Sequence, residues 1–213
     1  MHAPSSREDP PAPTTPHADS DRGLRRTVAI VAGANLAYFG VEFAIALAIG
    51  SVALIADSVD FLEDASINLL ILVALGWSAR HRARVGMGLA FILLVPSLAA
   101  LLTAIAKFQA PAPPAPVPLT LAGAGALGVN LFCAWLLARH RHQSGSLSRA
   151  AFLSARNDAV ANIAIIVAGF VTAATLSGIP DLVVGLGIGA LNIGAAWEGW
   201  EAAREEHSAA LEA

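Results

Sequence analysis

Read as a pattern of apolar and polar positions, the chain consists of six apolar runs separated by short polar or proline-rich breaks. The runs fall near Thr27 to Ala48, Val52 to Trp77, Val85 to Ala106, Leu119 to Leu137, Ala150 to Leu176 and Leu182 to Trp200. Each is close to the roughly 20 residues that a helix needs to cross a ~30 Å hydrocarbon core. The expected fold is therefore an all-α membrane protein, a six-transmembrane-helix bundle. Within the second run, four polar side chains recur at i, i+3, i+7 and i+11: Asp57, Asp60, Asp64 and Asn68. At about 100° per residue they make one stripe along a helix face. Acidic groups at bilayer depth are costly enough to mark function by default, and this stripe points to a cation bound inside the membrane.

Composition agrees with that medium. Of 213 residues, 56% are hydrophobic and 14% charged, with a mean hydropathy of +0.64, whereas soluble domains carry about 25% charged residues. One polytopic membrane domain is expected, with the lipid bilayer as its surroundings and no nucleic-acid partner. Cys133 is the single cysteine, which excludes an intramolecular disulfide and a multi-thiolate metal cage, and a lone buried cysteine reads as a small hydrophobe. No apolar core follows Met1 before Leu24, so no signal peptide is expected. Residues 1–23, rich in Pro, Ser, Asp and Ala, read as a disordered cytoplasmic tail. Residues 24–204 form the six-helix domain, and 205–213 a short cytoplasmic tail with no room for a soluble C-terminal domain.

The arginines orient the bundle. Arg22, Arg25 and Arg26 precede helix 1, Arg80, Arg82 and Arg84 follow helix 2, and Arg139, Arg141 and Arg149 lie between helices 4 and 5. The opposite connections, Ile49 to Ser51, Gln109 to Pro118 and Ser177 to Asp181, carry none, although Lys107 stands just before the second. Basic loops stay on the cytoplasmic side, so both termini are expected there, in a bacterial inner (cytoplasmic) membrane. Pro111 to Pro118 reads as a stiff, extended external loop.

Other helices add polar groups at membrane depth. Helix 5 carries Ser154, Asp158 and Asn162 every four residues, helix 1 Asn35, Tyr38 and Glu42, and helix 6 Asp181 and Asn192. These faces can converge on one cavity. A lone Asn or Ser in such a place serves equally well to bond a neighbouring helix. Two aspartates one turn apart are different, because they repel unless a cation or protons lie between them.

The segment GSVALIADSVDFLEDASINLLILVAL, Gly50 to Leu75, resembles the second transmembrane helix of the cation diffusion facilitator family, in which a His or Asp is followed after three residues by Asp. Here that pair is Asp60 and Asp64, with Asp57 at the preceding acidic position. SLSRAAFLSARNDAVANIAIIVAG, Ser146 to Gly169, resembles the family's fifth helix, with Asp158 at the second motif position and Ser154 where a ligand is expected. The resemblance spans all six helices in order and spacing. It implies a homodimer and proton-coupled efflux of a divalent metal, with Asp60, Asp64, Asp158 and Ser154 as metal ligands and Asp57, Asn68, Asn157, Asn162 and Glu42 as supporting groups. No tightly bound cofactor is expected.

Two departures shape the expectation. Ser154 is a weak neutral ligand, so the set is hard and oxygen-rich, which favours manganese or iron(II) over zinc while leaving cobalt and cadmium in the panel. No counterpart of the cytoplasmic C-terminal domain that supports dimerisation in most relatives is expected here, so dimer contacts are expected from the helices. A metal-binding membrane regulator or partner subunit without transport is the alternative. An intramembrane hydrolase is disfavoured, since no HExxH motif or glycine-rich phosphate cradle accompanies the aspartates; the chain is not expected to be an enzyme.

Among the remaining marked residues, Arg156 lies about 200° around the helix from Ser154 and is expected to pair with Glu63 or Glu42, or to snorkel inward. His140 and His142 read as surface groups. Trp77, Trp197 and Trp200 read as interfacial anchors, and Glu198 with the tail residues Glu201, Arg204, Glu205 and Glu206 as a solvated helix end. Gly185, Gly187 and Gly189 read as sites of close helix packing.

Overall fold

The structure, a computed structural model, describes residues 16–74, 96–110, 112–139 and 145–193, with side chains over 23–72, 96–110, 112–139 and 156–193. Six helices account for nearly all of these residues. They are α1 (Pro16–Ile49), α2 (Val52–Ala74), α3 (residues 96–109), α4 (Pro116–Ala138), α5 (Gly145–Thr175) and α6 (Ile179–Ile193). The all-helical bundle expected from the apolar pattern is what forms. Among the described residues three stretches, Gly23–Ile49, Pro116–Ala138 and Arg156–Thr175, are both long enough and apolar enough to cross a bilayer by themselves. The α2 helix has the length, at 23 residues, but interrupts its apolar run with Asp57, Asp60, Glu63 and Asp64.

Element boundaries differ from expectation at the prolines. The first helix starts at Pro16, inside the segment read as an unstructured tail to Gly23, while residues 1–15 lie outside the described residues. Proline is accepted there because a helix start leaves its first N–H groups unbonded in any case. For the same reason the supposed extended loop is short. Residues 112–115 are irregular, but Pro116 and Pro118 belong to the first turn of α4.

Packing pairs α1 with α2 and α4 with α5, and α1 also lies on α4. The central apolar cluster draws Ala46 from α1, Leu54 and Ile55 from α2, Leu119 and Ala122 from α4, Ile165 from α5 and Ile188 from α6. A smaller cluster joins Val31 to Cys133, Ala134 and Leu137. The α1–α2 turn is made by Gly50, whose φ of 63° is one that a side chain disfavours. At Gly185 a Cβ would stand 2.7 Å from the Val52 carbonyl carbon and the Ala53 nitrogen, so α6 meets the start of α2 backbone to backbone. Gly187 and Gly189 face open space, so of the three glycines expected to permit close packing only Gly185 does so.

The start of α2 is fully bonded. Ser51 Oγ accepts the Leu54 N–H at 3.1 Å, and the Asp181 carboxylate accepts Val52 N–H at 3.0 Å and Ala53 N–H at 3.2 Å. Asp181 also accepts the Ser51 hydroxyl at 2.5 Å and the Lys107 ammonium at 2.7 Å. Three connections free of arginine thus meet at one end of the bundle. Arg25, by contrast, reaches the Leu72 carbonyl at 3.4 Å, tying the start of α1 to the end of α2.

The distribution of polarity is the reverse of a soluble protein's. Leu121 is 67% exposed, Phe170 65% and Val160 65%, whereas Glu42, Asp57 and Asn162 are 0% exposed. Apolar side chains cover the outside, and buried amides and acids stand within an otherwise apolar interior, as in an integral membrane protein.

Candidate metal-binding cleft

A cleft of about 1120 Å³ opens between α2, α5 and α6. Its polar lining consists of Asp60, Glu63 and Asp64 from α2, Asn157 and Asp158 from α5 and Asn192 from α6, set among apolar residues such as Val183, Val184 and Ile188. Asp60, Asp64 and Asp158, the ligands expected from the sequence, therefore line one cleft. Their charges act on one another: Asp60 interacts with Asp57, Asp158, Glu63 and Asp64, and Asp158 with Asp64, Asp57 and Glu63. Among the described residues no three His, Cys, Asp or Glu side chains are grouped closely enough to hold one ion at once. The cleft is an open, acid-lined mouth rather than a closed cage. Its hard oxygens suit a divalent cation.

Behind this mouth lies a buried polar layer. Asn35 approaches Asp64 Oδ2 at 3.5 Å, and the Cys133 thiol donates to Asn35 Oδ1 at 3.6 Å. Asn68 turns its amide back to the Asp64 carbonyl at 2.7 Å. Asn162 donates to Asp57 Oδ2 at 2.6 Å and accepts from Asn130 at 3.0 Å. Glu42 stands within electrostatic reach of Asp57 and Asp60. The stripe read from α2 thus serves two places. Asp60 and Asp64 face the cleft, while Asp57 and Asn68 turn into the bundle, because positions spread over 80° of helix surface meet different neighbours on each flank.

Several expectations change here. Asp181 and Asn192 do not share a cavity: eleven residues of helix separate them by about 16 Å, so Asn192 lines the cleft while Asp181 caps α2. Arg156 is exposed, and among the described residues no ion pair joins it to Glu63 or Glu42; it reaches outward, where Glu42 is buried from solvent. Ser154 lies on the helical backbone of α5, one turn before Asp158, but its side chain lies outside the described residues. His140, His142, Trp77, Trp197, Trp200, Glu198 and the C-terminal tail lie outside them too. Glu63 and Asn130 were not named as site residues. Glu63 follows Asp60 by three residues and so shares its side of the helix, whereas Asn130 is a single amide without a periodic partner.

No curated protein matches the sequence. The family of the cation efflux transmembrane domain matches residues 28–205, which takes in α1 from Val28 onward, all of α2 to α6 and both acid-bearing segments of the cleft. With that match, a helical bundle with an apolar exterior and an acid-lined cleft, the chain belongs to the cation efflux family of membrane transporters, the cation diffusion facilitators.

Proposed function

We propose that the chain carries a divalent metal cation out of the cytoplasm through the cleft between α2 and α5, in exchange for protons. The observation that carries this reading is that Asp60 and Asp64 of α2 line the same cleft as Asp158 of α5. Three carboxylates in one apolar-walled mouth attract a dication, and the dication in turn offsets their mutual repulsion. Ser154, one turn before Asp158, supplies a hydroxyl to the set, and Asn157 lines the same wall. The all-oxygen donor set favours manganese or iron(II) over zinc. A rocking of helices that alternates which end of the cleft is open then carries the ion across, and protons from the far side displace it. The working unit is a homodimer built through the helices, in a bacterial inner membrane with both termini cytoplasmic.

The test is flux in proteoliposomes across zinc, cadmium, cobalt, nickel, manganese and iron(II), with a pH indicator trapped inside. Metal uptake accompanied by opposite proton movement is the expected result; tight metal binding without flux of any of the six would replace transport with a second reading. That reading, a metal-binding regulator or partner subunit, is favoured by the absence of a closed three-ligand group among the described residues.

A further inference from the structure

The cleft carboxylates do not exhaust the acids inside the bundle. Glu42 of α1 and Asp57 of α2 are both wholly buried and are electrostatic neighbours. Asp57 Oδ2 accepts the Asn162 amide, whose orientation is set by the hydrogen bond that Asn130 donates to Asn162 Oδ1. Among the described residues the other three oxygens of the pair, Asp57 Oδ1 and both of Glu42, meet no donor. Nearby hydroxyl hydrogens are committed elsewhere, Tyr38 to the Ala122 carbonyl at 2.6 Å and Ser58 to the Ile55 carbonyl at 2.7 Å.

Among the described residues no positive charge balances the pair either. The ionisable groups acting on it are Tyr38 from α1, Asp60 from α2 and Asp158 from α5. From α4 it meets only the neutral Asn130, by way of Asn162. Lys107 of α3 and Asp181 of α6 are bound to each other, and the described arginines Arg25, Arg26, Arg139 and Arg156 are exposed. Two full negative charges that share one amide donor are not tolerated in a medium of low dielectric constant. A single proton resolves both deficits, because it supplies the missing donor and removes one charge.

We propose that Glu42 and Asp57 form a proton-binding site, holding one proton between them and separate from the carboxylates of the cleft. The proton comes from water and returns to water, and no other bond changes. Asp60 connects the two places, since it is an electrostatic neighbour of both Glu42 and Asp57. A dication drawn to Asp60 replaces a negative neighbour with a positive one, so the pair gives up its proton as the cation enters; this second step rests on the transport reading above.

Infrared spectra of the full chain in lipid nanodiscs, metal-free and near neutral pH, test the site directly. A protonated-carboxyl C=O band is expected in the parent protein and is expected to weaken in both Glu42→Gln and Asp57→Asn. Absence of the band, or its full persistence in either variant that folds, overturns the site. For the second step, protons released per bound manganese(II) are counted with a pH dye at saturation. Glu42→Gln is expected to release one proton fewer than the parent, and an equal count overturns the coupling. If the parent binds no manganese, the count is made with whichever of the six metals it binds; if it binds none, the transport reading fails while the infrared result still decides the proton site.

Discussion

Asp181 and Asp64 are both carboxylates on membrane helices, and their neighbours put them to opposite uses. Asp181 is wholly buried and spends its oxygens on four donors: Lys107, Ser51 and two N–H groups of α2. Replacing Asp181 with Asn strands a buried ammonium, at a cost of about 3–5 kcal/mol. The loss is read as a lower unfolding midpoint in detergent, and combining it with Lys107→Met should recover most of it. Asp64 is only half-buried at the cleft. Asp64→Ala and Asp158→Ala are expected to keep the helical circular dichroism of the parent while metal flux falls to that of empty vesicles; full activity in both would sink the site assignment. The acids were legible in the sequence because each is expensive in an apolar run. Their division between cleft and interior was not, since it depends on whether Asn162, Asn35 or open space lies opposite.

Helices were legible as elements because lipid forces every backbone N–H and C=O to find its partner within the segment, which makes long apolar runs all but unambiguous. Their ends were less so. Pro16, Pro116 and Pro118 read as breakers but act as helix starters, a distinction set by position within the first turn rather than by residue type. Glycine spacing on α6 was similarly ambiguous, since only the approach of α2 selects Gly185 from its neighbours. Gly185→Val is therefore expected to force α6 off α2, costing about 1–3 kcal/mol in thermal stability. Gly187→Ala, which meets nothing within 4 Å, should leave that stability unchanged. At the α1–α2 turn, Gly50→Ala places a side chain at φ 63° and should cost about 1–2 kcal/mol.

Over the whole molecule, apolar side chains face outward and the buried layer is threaded by amides and acids, the arrangement of a protein whose solvent is lipid. Orientation in that solvent is open to a direct check. With Cys133 replaced by Ala, a cysteine introduced at the exposed Ala112 is expected to react with an impermeant reagent added outside cells, and one at the exposed Arg139 only after the cells are opened. Cys133 itself offers more than a background to be removed. It is the sole sulfur nucleophile of the chain, 1% exposed between α1 and α4, and two contacts from Asp64 through Asn35. Maleimide can reach it only when those two helices part, so its labelling rate is a built-in clock for how often the bundle breathes, readable in the unmodified protein with metal or pH as the only variable.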